Sequence, residues 1–227
     1  MFTELRKIWE EQAFTSRIVD EFSSILDNSS DMLEYALKAL VRSGKVKKSE
    51  KKIYFKDQKI NITEQEIRKR ILVHLATNPG GNLPACLALI SITKDAERIG
   101  DYVKNIFELR TLLKDVKDGD KLFNLLFDNI GQNVLILLHT VNTSFKNSDT
   151  ELALEAAAEA RTLAKQCEGI FEKLAESNYS SVSVVTLTLG AQYLKRVALH
   201  LSNIASSIFL PMPEMDYING KFSVGKK

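Results

Sequence analysis

The pattern that organises this chain is the stretch Asp95-Ala-Glu-Arg-Ile-Gly-Asp-Tyr-Val-Lys-Asn-Ile106. Its apolar residues recur at steps of three and four, the spacing of one face of an α-helix with about 3.6 residues per turn. This face comprises Ile92, Ala96, Ile99, Val103 and Ile106. The stretch therefore predicts an amphipathic helix with one buried stripe.

The same frame returns 98 positions later in the stretch Lys195-Arg-Val-Ala-Leu-His-Leu-Ser-Asn-Ile204. Arginine, asparagine and isoleucine coincide at the pairs Arg98/Arg196, Asn105/Asn203 and Ile106/Ile204. The apolar stripe is kept as well, because valine and leucine replace other aliphatic residues at the equivalent positions. We therefore predict two copies of one structural unit within the chain.

Two carboxylates of the first copy, Glu97 and Asp101, are four residues apart. On a helix they are neighbours one turn apart, on a stripe about 100° from the apolar one. Two carboxylates in this arrangement can chelate a hard cation. They can equally form a solvated helix edge that pairs with nearby cations, for which the sequence offers Lys94, Arg98 and Lys104.

A second polar line precedes the first, with Asp57, Asn61 and Glu64 at spacings of four and three. If its helix lies antiparallel to the helix of Glu97 and Asp101, the two lines can face each other. Such a site would offer mostly oxygen ligands, which suit magnesium, calcium, manganese or iron. The three histidines, His74, His139 and His200, fall singly on different helices, so we interpret them as surface or packing residues.

The composition is that of a soluble globular protein, with 44% hydrophobic and 26% charged residues among 227. The net charge of +2 gives no general electrostatic attraction to nucleic acid. Neither a run of 18 apolar residues nor a signal-peptide pattern is present, so we expect no membrane span. The two cysteines form neither a zinc pattern nor a disulfide framework. We therefore expect the protein in the reducing environment of the cytoplasm.

Six long helices are predicted from the apolar periodicity and from the glycine-, proline- and asparagine-rich breaks between them. We place the first over 10–42, the second from Lys45 to about Leu75, and the third from Pro84 to about Val116. The fourth ends at Asn147, the fifth carries Cys167 on its apolar stripe as a buried side chain, and the sixth ends before Pro211.

The polar segment Asp27-Asn-Ser-Ser-Asp31 interrupts the composition of the first helix but not the phase of its apolar residues. We therefore prefer one continuous helix. The alternative is a break in which Asp31 and Glu34 form a capping box.

Short loops between long amphipathic helices require antiparallel neighbours, and apolar steps of four and three favour left-handed bundle packing. The predicted fold is all-α, with two tandem antiparallel three-helix bundles. We assign the first repeat to residues 1–117, the second to 118–210, and a C-terminal tail to 211–227.

Catalytic patterns are not found in the sequence. It has no glycine-rich nucleotide motif, no G-x-S-x-G motif and no His-x-x-x-His pair, so we expect that the protein is not an enzyme. A basic run from Lys45 to Lys52 opens the second helix. We interpret it as a solvated helix start, with contact to an anionic partner as the alternative.

The stretch from Asp95 to Ile106 resembles the signature of the PhoU family, which has an acid-x-x-x-Asp pattern in a Leu-Glu-Arg-Ile-Gly-Asp-His-like segment. The segment Asp57-Gln-Lys-Ile-Asn-Ile-Thr-Glu-Gln-Glu-Ile67 is similar to the second helix of the same family. The resemblance extends over residues 10–209 and implies a tandem pair of three-helix repeats.

The resemblance further implies a cytoplasmic negative regulator of inorganic-phosphate uptake and of the phosphate-starvation response. Such regulators are thought to contact a phosphate transporter subunit, a sensor histidine kinase or both, and some can form homodimers. Some members bind metal clusters through their acidic motifs. By position, the implied ligands are Glu97, Asp101 and Asp95, with Asp57 and Asn61 from the second helix.

The second repeat departs from the family pattern, because Lys195 and Leu199 replace the two motif acids. Neither side chain can bind a metal at neutral pH. Any metal chemistry is therefore expected in the first repeat alone. The alternative to a regulator is a metal-binding helical bundle that holds iron, zinc or manganese through these first-repeat acids.

Overall fold

A computed structural model describes residues 12–41, 47–78, 82–112 and 121–215 of the chain. All regular elements in these ranges are helical. We number the long helices α1 (Gln12–Val41), α2 (Lys47–Thr77), α3 (Leu83–Glu108), α4 (121–147), α5 (Thr150–Ala175) and α6 (Ser181–Ser206). None of the helices in the described ranges is both long enough and apolar enough to cross a lipid bilayer.

Neighbouring helices run antiparallel, as contacts between their side chains show. From α1 to α2, Glu21 meets Arg70 near one end and Asp31 meets Lys56 towards the other. From α2 to α3, Glu50 meets Arg110 while Asp57 meets Lys104. The predicted all-α fold of two antiparallel three-helix bundles is confirmed.

The two bundles share one continuous apolar core, in which α1 packs against α4 and α3 packs against α6. By contrast, α2 packs mainly on α1 and α3, and α5 mainly on α4 and α6. The edge helices α2 and α5 therefore keep one side open to solvent. The predicted domain boundary at 117/118 lies outside the described residues.

The apolar stripes of α3 and α6 are buried as the sequence predicts. Ile99, Val103 and Ile106 are fully buried, and so are Leu201 and Ile204 in the second copy. Fully burying one such side chain stabilises the fold by roughly 1.5–3 kcal/mol. The stripes are thus the shared element of the two repeats.

Two glycines allow close helix contacts. A Cβ atom on Gly190 of α6 would lie 2.7 Å from Phe127 Cζ, and one on Gly131 of α4 would lie 2.7 Å from Leu37 Cδ2. Because carbon atoms do not approach so closely without displacement, both positions favour glycine.

The first helix is continuous from Gln12 to Val41, so the preferred prediction is confirmed and the alternative break at Asp31 is wrong. The polar segment does not end the helix because its side chains form hydrogen bonds and ion pairs with neighbouring helices. Asn28 also donates a hydrogen bond from Nδ2 to the Ser24 carbonyl one turn earlier, at 2.6 Å.

The third helix is shorter than predicted. Its α-helical part ends at Glu108 rather than near Val116, and a 3-10 turn, Leu109–Thr111, follows. The Arg110 guanidinium lies 3.7 Å from the centre of the Phe107 ring and donates to the Phe107 carbonyl at 3.2 Å. These contacts hold the chain in the tighter turn, which the apolar periodicity alone did not indicate.

The fourth helix contains a wide π-helical segment, Asn124–Ile130, between an α-helical turn Lys121–Phe123 and the α-helical part Gly131–Asn147. Its predicted apolar residues Phe127, Ile130 and Val134 are nevertheless buried. At the end of α6, Ser206 donates a side-chain hydrogen bond to the carbonyl of Met215, which follows the helix and is itself buried. The predicted tail beyond residue 215 lies outside the described residues.

Candidate functional site

The predicted polar lines of α2 and α3 do face each other, and a lysine joins them. Lys104 Nζ lies 3.0 and 3.1 Å from the two carboxylate oxygens of Asp57 and 3.0 Å from Asp101 Oδ1. Asp57 is nearly buried, whereas 46% of the Asp101 side chain is exposed. One ammonium group therefore bridges the two carboxylates that the sequence pattern pointed to.

The pKa of Lys104 reflects this bridge. Partial burial opposes the charged form, but the hydrogen bonds and charges of Asp101 and Asp57 outweigh it and raise the pKa above its usual value. The ammonium group is thus charged at neutral pH and offsets one of the two carboxylate charges beside it.

Glu97 lies outside this bridge. Its Oε2 atom accepts a hydrogen bond from Lys94 Nζ of the preceding turn at 2.7 Å. The carboxylate side chain is only 12% exposed, while 41% of the lysine side chain faces solvent. The sequence left open that Glu97 and Asp101 pair with Lys94, Arg98 and Lys104. The structure contains two such pairs, Glu97 with Lys94 and Asp101 with Lys104.

Asp95 is directed toward the second repeat. Its Oδ1 atom lies 2.7 Å from Nδ1 of His200 on α6, and both side chains are about 15% exposed. The His200 ring stacks on Tyr102 with a centroid distance of 5.7 Å. Asp95 therefore joins the two repeats and stands apart from Asp57 and Asp101.

The remaining members of the α2 line are Asn61 and Glu64. Asn61 is partly buried, one turn after Asp57. Glu64 is buried, and Arg68 Nη2 lies 3.0 Å from its Oε1 atom. That contact is an ion pair without an aligned hydrogen bond, because neither Glu64 Oε1 nor Arg68 Nε has a hydrogen-bond partner.

The acids predicted as metal ligands are divided among separate contacts. Among the described residues, no three histidine, cysteine, aspartate or glutamate side chains converge closely enough to hold an ion. The space where Asp57 and Asp101 converge already holds the ammonium group of Lys104. Since Glu97 pairs with Lys94 and Asp95 with His200, the five residues predicted as ligands do not form one constellation.

Cys167 of α5 packs inside the bundle. The side chain is fully buried, and burial raises the pKa of its thiol to about 12. The thiol therefore remains protonated and acts as a small packing group, as its place on the apolar stripe predicts.

The sequence pattern missed a polar junction in the middle of α1. Asp27 accepts a hydrogen bond from Asn142 of α4 at 2.6 Å and lies 3.3 Å from Lys146. Ser30 bonds to His139 Nε2 of α4 at 2.8 Å. On the side of α1 that faces α2, Lys56 donates hydrogen bonds to Asn28 at 3.1 Å and to Asp31 at 2.7 Å.

This junction connects three helices through one segment, Asp27 to Asp31. A run of five polar residues that does not disturb the helical phase was the available signal. Because such a run on a partly buried helix needs hydrogen-bond partners, it points to polar contacts with neighbouring helices. The identity of those partners depends on the packing of α2 and α4.

Similarity to known proteins extends over most of the chain. Residues 22–109, which include both polar lines, match the PhoU domain. The phosphate-specific transport system accessory protein PhoU of Serratia marcescens is 26% identical over 159 residues, which are 67% of this chain and 65% of that protein. A PhoU homolog of Xylella fastidiosa is 25% identical over 198 residues, 85% of this chain and 81% of that protein.

The chain thus contains a PhoU-like stretch at residues 22–109 and is similar to PhoU proteins over most of its length. Solved PhoU structures share its fold. PhoU from Pseudomonas aeruginosa matches with a TM-score of 0.76 at 19% identity, over 86% of this chain and 95% of that one. The phosphate transport system regulatory protein PhoU from Streptococcus pneumoniae matches with a TM-score of 0.67 at 19% identity, over 90% and 97%.

Proposed function

We propose that this protein is a member of the PhoU family and a cytoplasmic regulator of inorganic-phosphate uptake and phosphate-starvation signalling. It acts by binding a phosphate transporter subunit, a sensor histidine kinase or both. The observation that carries the proposal is the match of residues 22–109 to the PhoU domain, together with relatives named as accessory proteins of phosphate-specific transport.

The chemistry of the acidic lines is compatible with a binding protein. Each carboxylate of these lines is engaged by a neighbouring cation or histidine, so none is set up as an acid or base beside a nucleophile. We therefore assign the regulatory effect to contacts of the helical bundle with its partner.

Deletion of the gene tests the regulatory role. If the protein is a negative regulator, phosphate uptake and the transcription of starvation genes should remain high in phosphate-rich medium after deletion. The wild-type chain should restore repression. A Val103→Asp variant, which places a carboxylate in the fully buried stripe, should not restore it because the fold is lost.

Direct binding is tested with purified components. The chain is immobilised and offered the transporter's ATPase subunit and the cytoplasmic part of the sensor kinase, with an unrelated helical bundle immobilised as the control. Retention of at least one component is expected. Retention of neither, together with unchanged phosphate uptake in the deletion strain, contradicts the proposed function.

Metal binding is the second candidate function, and one observation favours it. Asp57 and Asp101 converge on a single positive charge, which is the electrostatic requirement of a cation site. In this chain the ammonium group of Lys104 supplies the charge, so a metal would have to displace it. Elemental analysis of protein purified without chelator tests this candidate, because bound metal would appear in stoichiometric amount.

A further inference from the structure

The solvent side of α2 carries an unusual line of large apolar side chains. Phe55, Ile62 and Val73 are 68%, 61% and 55% exposed. They are seven and eleven residues apart, spacings that keep side chains within about 20° of one another around a helix. They therefore form a single line along the helix, about 27 Å long at 1.5 Å per residue.

Lysines flank this line. Lys51, Lys52, Lys59 and Lys69 are all exposed on the same side of α2, whereas Glu66 is the acid among them. Lys52 lies over the Tyr35 ring at 5.2 Å, but Lys59 and Lys69 form no ion pair with any described residue. We call the region formed by Phe55, Ile62, Val73 and these five charged residues the α2 outer face.

A groove extends the α2 outer face at its C-terminal end. Its volume is about 420 Å³, and its lining includes Lys69, Val73, Arg70, Arg17 and His74. Arg70 also bonds to Glu21 of α1 through Nε, which holds the guanidinium at the edge of the groove. The groove lining also includes Glu66, while Arg17 and Arg70 both pair with Glu21. Lys69, with an exposed side chain beside Val73, is the cationic group at the groove that an acidic side chain could reach.

The corresponding edge helix of the second repeat has no such surface. None of the large apolar side chains of α5 is exposed. Its solvent side consists of polar and charged residues, among them Glu155, Glu159, Glu168 and Glu172. The α2 outer face is therefore not a requirement of the three-helix repeat, because α5 occupies the same architectural position without it.

We propose that the α2 outer face binds an acidic amphipathic helix of a partner protein. The inference rests on the proposed regulatory function and names the surface that would carry it. Apolar side chains of the partner helix pack against Phe55, Ile62 and Val73. Its carboxylates pair with the flanking lysines, of which Lys69 lies at the groove.

The shape and charge of the face favour this occupant. The line is narrow, although the exposed Leu72 widens it beside Val73 at its C-terminal end. A narrow line matches the contact seam of a second helix, whereas insertion into a lipid surface requires a broad apolar face along the whole helix. Two copies of the chain facing each other here would oppose like charges, since four lysines and one glutamate give each face a charge of +3. An acidic helix satisfies both the apolar line and the charge.

A designed peptide probes the face directly. The peptide is a helix of about five turns with leucine at its a and d positions and glutamate on both flanks. A matched peptide carries lysine in place of glutamate. Binding to the full chain is measured by fluorescence anisotropy, and the acidic peptide should bind at least tenfold more tightly than the lysine peptide.

Matched variants of the chain separate a specific contact from general attraction. Ile62→Asp should weaken binding of the acidic peptide at least tenfold. Ile136→Asp should leave it unchanged, because Ile136 of α4 is 62% exposed but lies away from the α2 outer face. The pair Lys59→Glu and Lys69→Glu should abolish the preference for the acidic peptide, while Lys165→Glu with Lys173→Glu on α5 should preserve it.

Several results overturn the inference. It fails if the two peptides bind equally, or if Ile62→Asp and Ile136→Asp have the same effect. It also fails if Ile62→Asp abolishes binding to phosphatidylserine vesicles while peptide binding is unaffected, because the face would then be a lipid contact. Loss of a wild-type dimer in the Ile62→Asp variant, measured by sedimentation equilibrium, would assign the face to self-association instead.

The proposed function and this inference fail in distinguishable ways. If the wild-type chain retains the transporter's ATPase subunit or the kinase and Ile62→Asp retains it equally, the regulatory function stands and the surface is wrong. If the wild type retains neither component but discriminates between the peptides as expected, the surface stands and the proposed partners are wrong.

Discussion

The two repeats join their second and third helices by the same kind of contact, made from different residues. In the first repeat, Asp57 of α2 pairs with Lys104 of α3 at 3.0 Å. In the second, Glu168 of α5 pairs with Lys195 of α6 at 2.6 Å. Lys195 occupies the position of the first-repeat acid Glu97, so the cation has changed place within the repeat.

This difference indicates that ion pairs with lysines can account for the acidic motif of α3 in this chain. Each repeat contains an acid and a lysine that connect neighbouring helices. A lysine within the motif, as in α6, therefore does not imply a lost function by itself. The features specific to the first repeat are the second carboxylate, Asp101, and the apolar outer face of α2.

The apolar stripes should contribute equally in the two repeats, and their loss should have the largest effect. Ile106 and Ile204 are both fully buried at equivalent positions. Ile106→Ala and Ile204→Ala should each lower the free energy of unfolding by about 2–5 kcal/mol. Urea denaturation followed by circular dichroism measures both. A cost below about 1 kcal/mol for only one variant would contradict the equivalence of the stripes.

Replacing a glycine by alanine should have the next-largest effect on the free energy of unfolding, and the effect should differ between a glycine of the second repeat and one of the first. A Cβ on Gly190 meets the rigid Phe127 ring at 2.7 Å, whereas a Cβ on Gly100 meets the flexible end of Ile60 at 2.9 Å. Gly190→Ala should destabilise the protein by about 1–3 kcal/mol. Gly100→Ala should be close to neutral, because the gain in helix propensity, roughly 1 kcal/mol, offsets a small displacement. The same denaturation measurement tests the order.

The lysine bridges should differ in strength. Lys104→Met should cost about 1 kcal/mol because it leaves Asp57 and Asp101 without their shared cation, and Lys195→Met should cost less because Glu168 is half exposed. The pKa of Lys104 is raised in the folded state. Its contribution is therefore fully present below the pKa of a lysine in the unfolded chain and is lost as the pH rises through the folded pKa.

Denaturation of the wild type and Lys104→Met at neutral and strongly alkaline pH checks this sign. The difference in unfolding free energy between the two proteins should shrink at alkaline pH. An unchanged or larger difference would show that the ammonium charge is not what stabilises the bridge.

Removing the motif acids should have the smallest effect. Glu97→Gln and Asp101→Asn should each change the free energy of unfolding by less than about 0.5–1 kcal/mol, because their partners are partly solvated. Elemental analysis of protein purified without chelator should give less than one metal per chain. Stoichiometric iron, zinc or manganese in the wild type, absent from the variant that combines Glu97→Gln and Asp101→Asn, would instead support the metal-binding candidate.

The sequence predicts the fold well because the apolar periodicity of helices is a strong and repeated signal. The stripe residues Ile99 and Val103 and the continuity of α1 are confirmed. The end of α3 was placed too late because the turn after Glu108 depends on contacts of Arg110 with Phe107. The π-helical segment of α4 adds a wide turn that apolar spacing does not reveal.

The candidate site could be predicted only in part. Spacing correctly placed Asp57 and Asp101 near each other, since antiparallel helices bring their polar lines together. The direction of Asp95 toward His200 depends on how α3 packs against α6, which no local pattern contains. The position of Lys104 between Asp57 and Asp101 depends on side-chain geometry between two helices, which spacing alone does not give.

The polar junction of α1 has a consequence for axial alignment. An apolar stripe with steps of three and four can slide by one helical turn, about 5.4 Å, and still pack on its neighbours. Such a shift would separate Asp27 from Asn142 and Ser30 from His139. These contacts therefore fix the axial register of α1 in the bundle. Replacing the segment by leucines would remove them, and several registers of similar stability could then coexist.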